Sequence, residues 1–178
     1  MMKHCLISIS AAALLGFGCS TIPPSNPHES LLEANKQVVR TSHEEIWSKG
    51  RFDLIADLYT ENFVCHFVIG PEWQGQDGFL AEVKSHRTSF PDWREEIQRM
   101  VAENDYVVSH FRSAGTHLGD FHGLARTGRK VSIDEIAIYR LKDGKIAEQW
   151  GLPDIHGMNV QLGIVKSDGP TSENQAVP

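Results

Sequence analysis

A glutamate set among apolar neighbours is the residue of this chain best placed to do chemistry. Over 130–141 the β-branched and aromatic pattern predicts a strand. Ile133, Glu135, Ala137 and Tyr139 share one face of it, and Asp134, Ile136, Ile138 and Arg140 share the other. A carboxyl on the first face loses water, so its pKa climbs toward neutrality and it can hold or release a proton at working pH. Two plainer arrangements stay open: the strand bulges and Glu135 reaches solvent, or Glu135 pairs with an arginine. His66, in the strand-like run 63–68, is the second candidate for proton transfer, because imidazole titrates near neutrality. A hydrogen-bonded structural histidine fits the same spacing.

Trp93, Phe111 and Trp150 offer flat apolar walls for a ring-containing ligand, or ordinary core. His117, Asp120 and His122 sit in a glycine-rich connection with no further ligand at fixed spacing, so no metal is expected there. Cys65 is alone in the domain, which excludes an internal disulfide, and a lone cysteine in an apolar strand reads as a small buried hydrophobe or a reactive thiol. There is no phosphate loop, dinucleotide fingerprint or nucleophile elbow, and no cofactor is expected. The formal net charge of -6 gives no global positive field, which argues against nucleic acid as a partner and leaves a small molecule.

The elements that must hold these residues follow from periodicity. Ser30 with Glu33 forms a capping-box pattern, and Leu31, Val38, Val39, Ile46 and Trp47 recur at helical spacing up to Gly50. A short helix is predicted over 52–59 and another over 75–90, ended by Pro91. Strands are predicted at 63–68, 93–101, 106–116, 130–141 and 145–150. The last two are joined by Asp143-Gly144, a strong hairpin signal. Pro153 and Asp154 open a final helix. The expected class is α+β: a curved antiparallel sheet wrapped around three N-terminal helices, forming a cone with an internal pocket. Ile and Val also occur on the other sheet face, so a homodimer through the sheet is expected, with a solvated face as the alternative.

The 178 residues suit one domain. Lys3, an apolar run from Cys5 to Phe17 and the exit Gly18-Cys19-Ser20 read as an export signal over 1–19, too short to span a membrane. Cys19 is placed for lipidation, the expected membrane contact, with simple cleavage as the alternative. Residues 20–29 read as a flexible tether, 30–165 as the domain and 166–178 as a disordered tail.

Several stretches in register resemble the SnoaL-like polyketide cyclase (ester cyclase) family of the nuclear transport factor two-like cone superfamily. They are Phe90-Pro91-Asp92-Trp93; Gly115-Thr116-His117 with Gly119, Phe121 and Gly123; Thr127-Gly128-Arg129; Asp143-Gly144-Lys145-Ile146; and Gln149-Trp150 with Asp154 and Gln161-Leu162-Gly163. The resemblance implies a cone-shaped apolar pocket and ring closure by proton transfer next to a carbonyl. It also implies a last strand reading His-Trp-Asp, whose Asp is the acid/base; here those positions are Gln149, Trp150 and Gly151. Ala137 stands where relatives often carry a polar residue, and His66 where they commonly carry His. The implied pocket is Trp93, Phe111, Ala137, Gln149, Trp150 and Gly151, with Glu135 and His66 as a relocated proton-handling pair. Two functions are therefore expected: a cyclase or isomerase with a non-standard acid, or a non-catalytic ligand-binding lipoprotein that has lost it.

Overall fold

The computed structural model describes residues 26–67 and 72–166. The export signal, Cys19, residues 20–25 of the tether and 167–178 of the tail lie outside the described residues. Helix α1 (Pro27–Thr41) opens ahead of the Ser30 capping pattern. Asn26 is its cap, accepting from the His28 N–H, and Pro27 occupies the first turn, where its missing N–H leaves no bond unmade. Residues 27–29, read as tether, are thus helical. A π-helical turn, Ser42–Trp47, continues the helix and buries Ser42, His43 and Ile46. Such turns are rare and recur at functional sites.

A short 3₁₀ turn (Phe52–Leu54) and α2 (Ile55–Leu58) lead into β1 (Tyr59–Phe67). Then come β2 (Trp73–Gln74), α3 (Gly75–Ser89), β3 (Arg94–Glu103), β4 (Tyr106–Thr116), β5 (Lys130–Lys142), β6 (Lys145–Pro153) and α4 (Ile155–Leu162). Asp154 caps α4 by accepting from the Gly157 N–H at 2.8 Å, a contact of about 1 kcal/mol.

The strands form one six-stranded sheet in the order β2-β1-β6-β5-β4-β3. It is antiparallel except at β1–β6, which pair in parallel. Sequence neighbours joined by a hairpin must run antiparallel. β1 instead meets β6 after a long excursion, and β6's direction is set by its hairpin to β5. Register shifts at Gln98 in β3 and at Ala147 in β6 interrupt the ladders, the irregularity that bends a sheet.

The predicted faces hold. Val107, Ser109, Phe111 and Ser113 of β4 and Ile133, Ala137 and Tyr139 of β5 are buried, while Ile136 and Ile138 are 46% and 39% exposed on the outer face. Two apolar clusters lie on the concave side. One joins Val39, Ile46, Tyr59, Phe63 and Phe79 to Phe111 and Tyr139. The other joins Phe90 and Trp93 to Ile133, Met158 and Leu162. Fully burying a phenylalanine such as Phe63 contributes roughly 2–3 kcal/mol. Two glycines of the resemblance are explained by close approach. A Cβ on Gly115 would stand 2.9 Å from the Trp93 ring, and one on Gly119 would stand 2.5 Å from the Thr88 carbonyl oxygen.

Candidate active site

Both clusters contribute walls to a cavity of about 660 Å³. Trp47, Phe67, Trp73, Trp93, Phe111 and Phe121 supply the aromatic lining, and Glu82, His86, Glu95, His122, Glu135, Tyr139 and Gln149 the polar groups. That volume admits a molecule of several fused rings, held by apolar contact and oriented by few polar ones.

Glu135 opens onto this cavity from β5, with Phe111 its register partner on β4. Burial pushes its carboxyl from the ordinary 4.5 up to about 8; the nearby Glu95 adds to the rise and the Ser113 hydroxyl opposes it. At neutral pH it keeps its proton and can donate it.

Glu95 comes from β3, between Trp93 and Ile97 on the inner face. Its side chain is 6% exposed. One oxygen lies 2.5 Å from His43 Nδ1, and the other accepts from Trp93 Nε1 at 3.3 Å. His43 Nε2 in turn lies 3.1 Å from the Tyr139 hydroxyl, and its ring packs on Phe111 with centroids 4.3 Å apart. Ser48 locks this group, donating to the His43 carbonyl and accepting from the Glu95 N–H. The Arg87 guanidinium donates to the Trp47, Ser48 and Trp93 carbonyls, fixing the end of the π-helical turn to the start of β3.

On the helical wall, α3 carries Glu82 and His86 one turn apart. Burial raises the Glu82 pKa, with His122 opposing, and burial, then His122 and Arg87, lower that of His86 to about 3. His86 is therefore a neutral imidazole here, in edge or stacked contact with Trp47, Phe90, Trp93 and Phe121.

Of the residues expected at the site, the fold gathers Glu135, Trp93, Phe111, Ala137, Gln149 and Gly151 around the cavity. Gln149 is buried with its Oε1 unpartnered. Ala137 and Gly151 face each other in register, leaving a bare strip of floor. His66 and Trp150 are corrections. Successive strand residues alternate between faces, so with Cys65 and Phe67 inward, His66 points outward, and with Gln149 and Gly151 inward, so does Trp150. The two stack on the outer face, centroids 5.2 Å apart, and His66 Nδ1 bonds Glu72 at 2.8 Å. His66 and Glu135 are thus on opposite faces of the sheet and form no pair. His66→Ala is expected to leave stability within about 0.5 kcal/mol of the unchanged protein, read by thermal melts.

The His117, Asp120 and His122 set does not converge. His117 Nδ1 accepts from the Thr127 N–H, Asp120 accepts from the Gly123 N–H and His122 lines the cavity. Among the described residues no cluster suited to a metal ion occurs. Cys65 is fully buried and its thiol is pushed up to about 12, mainly by burial, which makes it unreactive.

His43 and Glu95 were missed, though each carried a signal. His43 lies four residues after Val39 and three before Ile46, on the apolar stripe of the first helix. Glu95 lies two residues from Trp93 and two from Ile97, on the apolar face of its strand.

Known proteins are similar to this chain along most of the domain. The aklanonic acid methyl ester cyclase DauD of Streptomyces sp. (strain C5) is 28% identical over 122 residues, covering 67% of this chain and 76% of its own. DnrD of Streptomyces peucetius, an enzyme of the same name, is 28% identical over 122 residues, 67% of this chain and 84% of its own. A structure described as a SnoaL-like polyketide cyclase from Jannaschia sp. CCS1 superposes with a TM-score of 0.71 at 21% identity, over 79% of this chain and 96% of that one. A family model, the SnoaL-like polyketide cyclase, matches residues 37–162, and the chain belongs to that family.

Proposed function

We propose that this protein encloses an apolar, ring-containing carbonyl compound and closes or rearranges a ring by moving a proton at the carbon next to the carbonyl, with Glu135 as the acid. One observation carries the reading: Glu135 faces an aromatic cavity and holds its proton up to about pH 8. A neutral carboxyl there can donate to a carbonyl oxygen as negative charge develops on it. The names of the related cyclases point to the methyl ester of a polyketide acid as the substrate class.

The test is incubation with aklanonic acid methyl ester. Aldol-type ring closure joins two carbons of one molecule at constant mass, so product is read as a chromatographic shift at unchanged mass. Protein-dependent closure is expected. Tight binding of the ester without closure at any pH would support the second reading, a ligand-binding protein, which the bare floor at Ala137 and Gly151 favours.

Export with lipidation at Cys19 belongs to the proposal on the strength of the run from Lys3 to Cys19. The exposed Ile136, Ile138 and Leu152, adjacent across β5 and β6, support a homodimer through the outer face.

A further inference from the structure

We propose that Tyr139, His43 and Glu95 form the base that works opposite Glu135, with Tyr139 touching the substrate and the other two acting through it. The inference rests on the reading of Glu135 as the acid of a carbonyl-directed site. An acid alone does not enolise a ketone or ester; a second group must take the proton from carbon. β6 offers no such group on the inner face: it carries no aspartate, and its one carboxyl, Glu148, pairs with Arg140.

The cavity contains one continuous hydrogen-bonded line that ends on a wall group. Glu95 Oε2 lies 2.5 Å from His43 Nδ1, and His43 Nε2 lies 3.1 Å from the Tyr139 hydroxyl. Both ends of this line, Glu95 and Tyr139, border the cavity, and His43 is buried between them at 1% exposure. Glu135 and Tyr139 lie on the same face of β5, on either side of Ala137, and both line the cavity, so the proposed chemistry requires their two long side chains to converge on a ligand lying over the bare floor.

With its proton on Nδ1, His43 donates to the Glu95 carboxylate, and its free Nε2 accepts from the Tyr139 O–H. Burial, then Tyr59, Glu95, Glu135 and Cys65, keep the Tyr139 phenol protonated, so it cannot serve as a free phenolate. It can pass a proton on. As the C–H bond next to the carbonyl breaks, the proton goes to the Tyr139 oxygen while the proton already there moves to His43 Nε2. The resulting imidazolium is stabilised by the Glu95 carboxylate. The electron pair of the C–H bond forms the enol double bond, and the carbonyl oxygen takes the Glu135 proton. Attack of the enol carbon on a second carbonyl then forms the C–C bond. The new alkoxide oxygen takes the His43 proton by way of Tyr139, and the enol O–H returns its proton to Glu135 as its carbonyl re-forms. Both residues end as they began.

The experiment uses the full chain, 2-tetralone as a fused-ring ketone probe, and deuterium exchange at its C1 position followed by NMR in D₂O. Quenching of tryptophan fluorescence gives probe binding separately, and a cooperative melt checks each fold. The unchanged protein is expected to speed exchange. Tyr139→Phe keeps the ring and the packing and is expected to slow exchange at least 100-fold with binding altered less than threefold. Glu95→Gln keeps a hydrogen-bond acceptor for His43 but not the charge, and is expected to lower kcat 10- to 100-fold at unchanged KM. A merely structural Glu95 would not give that split.

Exchange by Tyr139→Phe within threefold of the unchanged protein overturns the relay. If Glu135→Gln is slow while Tyr139→Phe is normal, the relay falls and the Glu135 reading stands. The reverse keeps the relay and removes Glu135 as the acid. An unchanged protein that speeds no exchange overturns both.

Discussion

Glu135→Gln is expected to lower ring closure about 1,000-fold while raising the melting temperature at neutral pH. The loss follows from the acid role proposed for Glu135, since a positioned general acid contributes roughly 10²–10⁴ in rate. The gain follows from linkage. In the unfolded chain this carboxyl titrates at its ordinary 4.5; in the fold it titrates at about 8. Below 4.5 both states hold the proton and the group adds no pH dependence. Between 4.5 and 8 the unfolded chain releases its proton and the folded one does not, so folding weakens as pH rises. Above 8 the full loss is present, on the order of a few kcal/mol. Glutamine cannot ionise and escapes this. The difference in melting temperature between variant and parent should therefore be near zero at pH 4 and grow to several degrees by pH 8. Activity has the matching shape: the parent should lose turnover above about pH 8, and the residual rate of the variant should lack that limb. A Glu135 that pairs with a cation would give the opposite trend in stability, with the variant less stable as pH rises. Melts from pH 4 to 9 and a rate profile over the same range decide between them.

The secondary structure was legible because local chemistry agrees with the fold. Asp143-Gly144 takes the positive φ values, 51° and 75°, that its tight turn needs, and the β5 alternation that put Glu135 inward is an unbroken period of two. Ser30 and Glu33 imitate a cap and so point to a later helix start, whereas Asn26 before Pro27 is the cap the helix uses. The site was only half legible. Residues on one strand, such as Glu135 and Ala137, follow from its period. The Glu95–His43 contact joins residues 52 apart in sequence, and no period reports that pairing. His66 and Trp150 went astray for another reason. Family resemblance assigned Gln149, Trp150 and Gly151 together to the pocket, yet three successive strand residues cannot all face one way. Alternation, applied strictly, would have sent Trp150 outward from the sequence alone.

Moving the carboxyl from β5 to β6, where the resemblance implies an acid at the position of Gly151, tests whether the proposed acid can act from either strand. Glu135 pairs with Pro153 and Ala137 with Gly151, so Gly151 is the diagonal neighbour of Glu135, at a spacing of roughly 7–8 Å that longer side chains reach across. A Cβ on Gly151 would meet only the Phe67 ring, at 3.6 Å, which is ordinary contact. A carboxyl introduced at either position thus has access to the same stretch of floor. The double variant Gly151→Asp with Glu135→Gln is expected to fold and to recover ring closure to within about tenfold of the parent, whereas Glu135→Gln alone stays about 1,000-fold down. Gly151→Asp alone places two carboxyls in one apolar space, where repulsion keeps one of them protonated and shifts the alkaline limb of the rate profile above the parent's. Recovery in the double variant would mean that a carboxyl on either strand can serve the same stretch of floor, with the cavity otherwise unchanged. A double variant that binds the methyl ester but stays as slow as Glu135→Gln would mean that the carboxyl must approach from β5, in line with the Tyr139 hydroxyl, and that the catalytic geometry itself has been rebuilt.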